Sequence, residues 1–567
     1  MRNGRISNAI IIALAAVVSF FAAVATTRTE PLQIRAGTAL AKLRDESSKN
    51  TVFAAAAAPV PGVKIKIPAW LRAHYRRNHS EFLKIAAPSD PTGGYPLALD
   101  TLYAWMLLHQ DLQTPPAPAP EQVASSVVVG QNTRISGNND TPRSESDIRI
   151  NVINSKQIIA ASNNIGNGRQ AQFFSSNGGA SWGQTTLPLL TGDSLHSDPT
   201  VDWDSQGNAW TTTMGISASS TVLQMRAYKS TDGGKTWTFD ATFSGDQTNT
   251  DKQMMWIDHG TSSPFHDNIY VVWHNGRPAF ANHRTASGWQ APVQLSGAET
   301  TGTAIGSDIT TNAAGDVFVA WPDTGSKKLF FVSSKDGGVT FSAPHPIGQT
   351  TAAFQIVVPA FAERAALVGV SIAALKTKNR DDIYVSWVDL SGGEGCNTPD
   401  SEPATDVTSD CKSRIWFVRS TDGGKTWSEP ARKINDQNDR NDQFNQKLVV
   451  DPESGVLGIT YYSTGSGADR KKTNVVFQFS QDSGVTWSPT TLVTTATTDE
   501  TAVSADNGNQ YGDYNGLSAA KGAFSLCWTD RRSGKSESIF TAQITLKQNA
   551  AGVFEASLLQ GPEKAKP

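Results

Sequence analysis

Between about residue 125 and residue 546 the chain alternates short apolar runs with polar turns, and no heptad or long helical period interrupts them. Residues 198–203, 208–214, 222–229 and 238–243 show the plan. Each run has strand length and is rich in β-branched and aromatic side chains, and a tight turn follows it. Four such strands joined by hairpins form one antiparallel unit. The unit recurs roughly every 50 residues, which predicts the blades of a β-propeller.

One turn carries the repeat. Ser420-Thr421-Asp422-Gly423-Gly424-Lys425-Thr426-Trp427 occurs again, letter for letter, from Ser230 to Trp237. Three looser copies keep the frame around Asn177, Asp336 and Asp482. In each, a hydroxyl stands two residues before the Asp or Asn. Gly stands two after, Thr or Ser four after, and an aromatic five after. The Asp or Asn side chain suits backbone N–H groups, Gly supplies positive φ, and the aromatic ends the turn in a core. Asn177 to Asp232 spans 55 residues and Asp422 to Asp482 spans 60, one blade each. Asp232 to Asp336 spans 104, two blades, with a shortened remnant at Thr285-Ala286-Ser287-Gly288-Trp289. Asp336 to Asp422 spans 86, one blade enlarged by an apolar stretch at 356–375 and a polar insertion at 397–410. A last strand pair at 514–520 and 523–530 brings the expectation to seven blades, or six if that pair completes the first blade.

The N-terminus has a different pattern. Arg2 and Arg5 precede an apolar run, Ala9 to Val24, with small residues at Ala23-Val24-Ala25. This is the layout of an export signal over 1–25, and an uncleaved anchor is the alternative. Residues 26–124 read as an exported linker with a small helical region, and Pro115 to Pro120 form a stiff spacer. Residues 547–567 form a tail. The expected location is secreted or periplasmic, with no stable membrane span after signal cleavage. Three cysteines fit this. Cys396 and Cys411 flank the polar insertion and are placed to close it as a disulfide, while Cys527 lies in an apolar strand as a buried thiol.

Composition changes the picture mainly by exclusion. A formal charge of −3 over 567 residues offers no basic face for nucleic acid. No Cys/His spacing suggests zinc, and no cofactor is expected.

The repeated Ser-x-Asp-x-Gly-x-Thr-Trp turn resembles the Asp-box, and the region from 125 to 546 resembles the sialidase superfamily of Asp-box propellers. The resemblance implies that the boxes lie at the outer rim and serve structure. It also implies an exo-α-sialidase-like glycoside hydrolase acting on an anionic glycan, with a carbohydrate as substrate or ligand. A non-catalytic propeller that binds glycans or proteins is the alternative. In that family a first Arg lies on the first inner strand, and Arg149 in Asp147-Ile148-Arg149-Ile150-Asn151 occupies the place, with Asn151 where the family has Pro. A nucleophilic Tyr stands in a Tyr-Ser-x-Leu motif, and Tyr514 in Tyr514-Asn515-Gly516-Leu517 corresponds, with Asn for Ser. The family's acid/base Asp falls between that Arg and the first box, yet residues 150–176 hold no Asp or Glu. Glu299 and Glu500 are weak candidates for the Glu beside Tyr514.

Position within the blade adds further candidates. An acid marks the start of the first strand in six blades: Asp147, Asp198, Asp251, Asp308, Asp442 and Asp513. The second strands return to the same face with aromatics, acids and arginines, as in Trp273-His274-Asn275-Gly276-Arg277 and Trp528-Thr529-Asp530-Arg531-Arg532. Asp513 and Asp530 thus join Tyr514 and Arg149, which the resemblance implies, as catalytic candidates. Arg277, Arg531, Arg532, Asp198, Asp308 and His274 are candidates for substrate binding. Acids gathered around one channel repel, so compensation by Arg149, Lys252, Lys447 and Arg531 is expected, with a bound cation as the alternative.

Overall fold

The computed structural model describes residues 127–137, 141–391, 396, 411–435, 441–465, 470–506 and 508–546. The expected export signal, helical N-terminal extension and Pro spacer, the insertion 397–410 and the tail lie outside the described residues. Among the described residues every regular element is a strand. No helix there is long and apolar enough to cross a membrane.

The strands form seven antiparallel four-stranded blades. Blade 2 shows the plan, with strands Asp193–Trp203, Ala209–Ser217, Leu223–Ser230 and Thr238–Thr242 side by side. Blade 7 settles the count. Its strands Gly516–Ala520, Ala523–Asp530 and Ser538–Leu546 are completed by Val127–Val129 from the start of the domain, which pairs with Ser538–Leu546. The last strands thus make a blade of their own, and the six-blade alternative falls. Joining first and last strands in one sheet closes the ring without a bare edge.

The boxes lie between third and fourth strands, as their composition implies. In blade 5, Asp422 Oδ1 accepts the Ser420 hydroxyl at 2.7 Å and the Thr426 N–H at 2.9 Å. Asp422 Oδ2 accepts the Thr426 hydroxyl at 2.6 Å, and Trp427 Nε1 donates to Gly424 O at 3.1 Å. The Gly two residues after the Asp or Asn of each box faces the preceding blade. Gly424 has φ +86°, and a Cβ there would lie 2.5 Å from Phe331 of blade 4. The corresponding Cβ on Gly484 would lie 2.4 Å from Phe417 of blade 5. Gly is required twice over, by conformation and by contact. Trp427 and Trp487 lean edge-on against the same two phenylalanines. The remnant in blade 3 does this job differently. Trp289 stacks on Phe243 of blade 2 at 4.4 Å and donates to Asp240 at 2.8 Å, and Asp240 also accepts from Arg284.

Inner strands are stapled by side chains. Asp147 accepts the N–H of Val201, Asp202 that of Ile257, and Asp308 that of Ile372, at 3.0, 2.9 and 3.1 Å. Ser371 and Ser518 accept N–H groups of Leu448 and Ile150, each at 3.0 Å. Each bond satisfies a backbone donor of the next blade. Trp273 and Trp528, expected on the face where the strand starts gather around the channel, are instead fully buried core side chains, as are Trp321 and Trp387 at the same place in their blades. Cys396 and Cys411 form a disulfide, and Cys527 is a buried thiol.

Candidate functional site

Four residues on the way into inner strands take up left-handed backbone without being glycine: Glu145 in blade 1 (φ 54°), Asp198 in blade 2 (58°), Lys252 in blade 3 (55°) and Asn445 in blade 6 (50°). In blades 2, 3 and 6 the pairing register slips at the same place, between Ser197 and Thr200, Asp251 and Met254, and Phe444 and Lys447. A bulge of this kind re-aims a side chain, at a cost that the surrounding sheet must hold. Glu145, Asp198 and Lys252 are drawn into one polar network.

Asn163 ties the first two together. Its Nδ2 donates to Glu145 Oε2 at 2.5 Å, while its Oδ1 accepts the Asp198 N–H at 3.0 Å. The Lys252 N–H donates to Asp198 Oδ2 at 3.3 Å. Lys252 Nζ and Arg364 Nη2 both ion-pair with Asp513, one on each carboxylate oxygen. Arg364 Nη2 also lies 3.4 Å from Glu145 Oε1. Arg364 comes from the apolar stretch between blades 4 and 5, which forms a small hairpin of Gln355–Ile356 with Ala366–Leu367. Gln510 Oε1 accepts the N–H groups of Glu363 and Arg364 at 3.2 and 2.8 Å, and Phe361 packs between Phe444 and Tyr511. Tyr514 donates its hydroxyl to Pro199 O at 3.0 Å.

The electrostatics of this cluster follow from burial and crowding. Burial, then the neighbouring Glu145 and Asp251, push the Asp198 carboxyl well above the usual range. Burial alone would raise Glu145 too, but Arg364 and Lys252 outweigh it and hold Glu145 below its ordinary value. The two carboxyls are thus pushed in opposite directions, Asp198 up and Glu145 down. Burial, reinforced by Asp198, Glu145, Asp147 and Asp251, pushes the Tyr514 phenol well above its ordinary value.

The other candidates fall elsewhere. Arg149 is buried, donates to Asp147 at 3.0 Å and lies over the Trp256 ring at 5.7 Å. Asp308 pairs with Lys447 at 2.8 Å besides its staple. Asp530 takes Arg532 at 2.6 Å and the Trp528 indole at 2.9 Å. Arg532 also reaches Asn132, next to the strand that closes the ring. Arg531 is buried against Gly534 O at 3.0 Å and Glu537 at 3.5 Å. Arg277 is exposed. His274 lies 3.8 Å from Asp251. Asp442 is held by Arg470. Glu500 shares a buried site with Glu537, and Glu299 caps Gly297. The network thus gathers Tyr514, Asp513 and Asp198. To these it adds Glu145, Asn163, Lys252 and Arg364, whose places depend on bulges and on a loop from a distant blade. Three of the four pairings expected to relieve crowding form with the Asp named at a blade start: Lys252–Asp513, Lys447–Asp308 and Arg149–Asp147. Among the described residues no group of three or more His, Cys, Asp or Glu is arranged to hold a metal ion.

The BNR/Asp-box repeat family matches residues 418–429. No curated protein matches the chain. Similar solved structures include a protein of unknown function from Dyadobacter fermentans, at 13% identity over 74% of this chain and 100% of that one, TM-score 0.42. A leech intramolecular trans-sialidase follows at 12%, 63% and 71%, TM-score 0.43. The Penicillium chrysogenum α-L-arabinanase stands at 14%, 61% and 97%, TM-score 0.39. Seven four-stranded blades, five of them turned by a Ser-x-Asp/Asn-x-Gly box, identify the chain as a seven-bladed Asp-box (BNR-repeat) β-propeller.

Proposed function

We propose that this propeller is a glycoside hydrolase whose acid and base are Asp198 and Glu145. The observation that carries the reading is the carboxyl pair with opposed pKa directions, bridged by Asn163 and set on strained bulges. Two carboxyls with separated affinities for protons are what glycosidic cleavage requires. Asp198 gives its proton to the glycosidic oxygen as the bond from the anomeric carbon breaks. Glu145 takes the proton of the water that attacks that carbon. Asp513, fixed by Lys252 and Arg364, stays ionised beside the carbon as positive charge develops. Tyr514 closes the site through Pro199 O. A tyrosinate nucleophile is disfavoured there, because burial and four nearby acids oppose its charge.

Asp198→Asn tests the reading on a panel of fluorogenic glycosides. Wild type is expected to cleave at least one, and the variant to lose that activity while melting at the same temperature. Full activity in the variant would remove Asp198 from the chemistry. A second reading, a glycan-binding propeller without turnover, is favoured by the fact that Lys252, Arg364 and Asp513 already satisfy one another. It stands if glycans bind and none is cleaved. We also propose that the chain is exported, since the Cys396–Cys411 bridge suits an oxidising compartment. N-terminal sequencing of the mature protein tests it.

A further inference from the structure

We infer that the sugar accepted at this site is neutral, and that Asp513 is an internal anion that keeps acidic sugars out. The inference rests on the proposed site but not on turnover there. It reverses the anionic glycan that the sialidase resemblance implies.

Two cations are bound into the network, and both are spent on the chain's own carboxylates. Lys252 Nζ takes one oxygen of Asp513 and Arg364 Nη2 takes the other, with Glu145 also within 3.4 Å of Arg364. Arg149, which the resemblance would assign to a substrate carboxylate, is buried against Asp147 and the Trp256 ring. The acids facing this space are Glu145, Asp147, Asp198, Asp251 and Asp513, and Tyr514 is neutral among them. With Asp198 set aside, four acids remain, Glu145, Asp147, Asp251 and Asp513, against the three cations Lys252, Arg364 and Arg149. An acidic sugar entering here meets net negative charge, and to gain a cation it must displace Asp513 from a bidentate grip.

A neutral sugar faces no such competition, since hydroxyls pair with carboxylates and amides alike. A second observation agrees. An open cleft of about 600 Å³ lies where blades 2 and 3 meet, lined from Ser244 to Asn249 and by Asn275 and Pro292. Its chain continues within two residues to Asp251. The lining offers amides and hydroxyls and one acid, Asp246, but no Lys or Arg. That suits the extension of an uncharged saccharide.

Saturation-transfer NMR and calorimetry with neutral methyl pentosides and hexosides, methyl glucuronide and methyl α-sialoside test the idea on the full chain. Wild type is expected to bind at least one neutral glycoside and neither acidic one. Asp513→Asn releases both cations and should tighten methyl glucuronide by roughly tenfold or more, as a charge-assisted pair allows. Asp513→Ser should do the same, and a melting curve checks that each variant folds. If neither folds, the wild-type ranking decides alone. Wild-type binding or cleavage of an acidic glycoside as good as that of the neutral ones overturns the inference but leaves the hydrolase reading intact. Neutral binding without cleavage of any glycoside upholds the inference and sinks the hydrolase reading. Failure to bind any sugar, or folded Asp513 variants that gain no affinity for glucuronide, overturns it.

Discussion

Asp422 at the rim and Asp198 at the axis are both aspartates at strand junctions, repeated by the same blade plan, yet their environments drive them apart. At the rim, Asp422 faces water with two hydroxyls and two N–H groups on its oxygens. Partial burial opposes ionisation slightly, but the Thr426 hydroxyl and N–H, then Ser420, hold its carboxyl at about 2. Asp232 and Asp336 behave alike. At the axis, Asp198 is buried beside two other acids, and its carboxyl is pushed well above the usual range. The rim turns a charge into a local fastening that solvent can screen. The axis concentrates acids where screening is poor, so small differences in position become large differences in proton affinity. The rim turn repeats in five blades because it is built from local residues alone, whereas the axial network draws different residues from different blades.

The sharpest way to separate the two regions is by activity. Asp198→Asn should lower kcat by about 10²- to 10⁴-fold, the usual worth of a general acid, with little change in Tm. A large fall in Tm with activity preserved in the surviving folded protein would place Asp198 in the structural class of Asp422. Trp427→Ala should do the reverse. Its ring is partly buried against Phe331, so a loss of about 3 kcal/mol is expected, at the low end for a large aromatic. Substrate preference should not change, and chemical denaturation alongside a kinetic assay decides it.

Two glycines of one turn type sharpen the comparison within the rim. Gly424→Ala meets both left-handed backbone and the Phe331 ring, and should destabilise by about 2–3 kcal/mol. Gly178→Ala meets only left-handed backbone, with no atom within 4 Å of the new Cβ, and should cost about 1 kcal/mol. Equal losses would show that contact with the preceding blade contributes nothing.

The smallest effects are those of pH, and the two regions should respond with opposite signs. Rim aspartates have folded values near 2, below their unfolded ones. Their contribution is present above the unfolded value and fades as pH falls through about 2, a modest effect because these groups face water. Asp198 is raised on folding, so its contribution is present below the unfolded value and fades as pH rises through the folded one. Activity should follow the axis, with an acid limb below the ordinary carboxylate range from Glu145 and an alkaline limb above it from Asp198. A pH–rate profile with both limbs in the ordinary range would break the pairing.

The sequence by itself determined the blades, the boxes, the remnant in blade 3 and the disulfide across the insertion. These are local or strictly periodic features, and a turn such as Ser420 to Trp427 carries all its own hydrogen-bond partners within eight residues. It also brought Tyr514, Asp513 and Asp198 forward, because each sits beside a strand start that the repeat locates. Only the tertiary structure decided which of the repeated acids share a space. Asp308 and Asp147 turn to staple the next blade, whereas Asp198 turns on a left-handed bulge toward Glu145, and no local pattern separates the two outcomes. Arg364 stands 149 residues from Asp513 along the chain and reaches it only because the loop between blades 4 and 5 packs against Gln510 and Tyr511. Trp273 and its counterparts lie at strand ends in sequence but between blades in space, since the hydrophobic effect favours the buried layer over the open funnel.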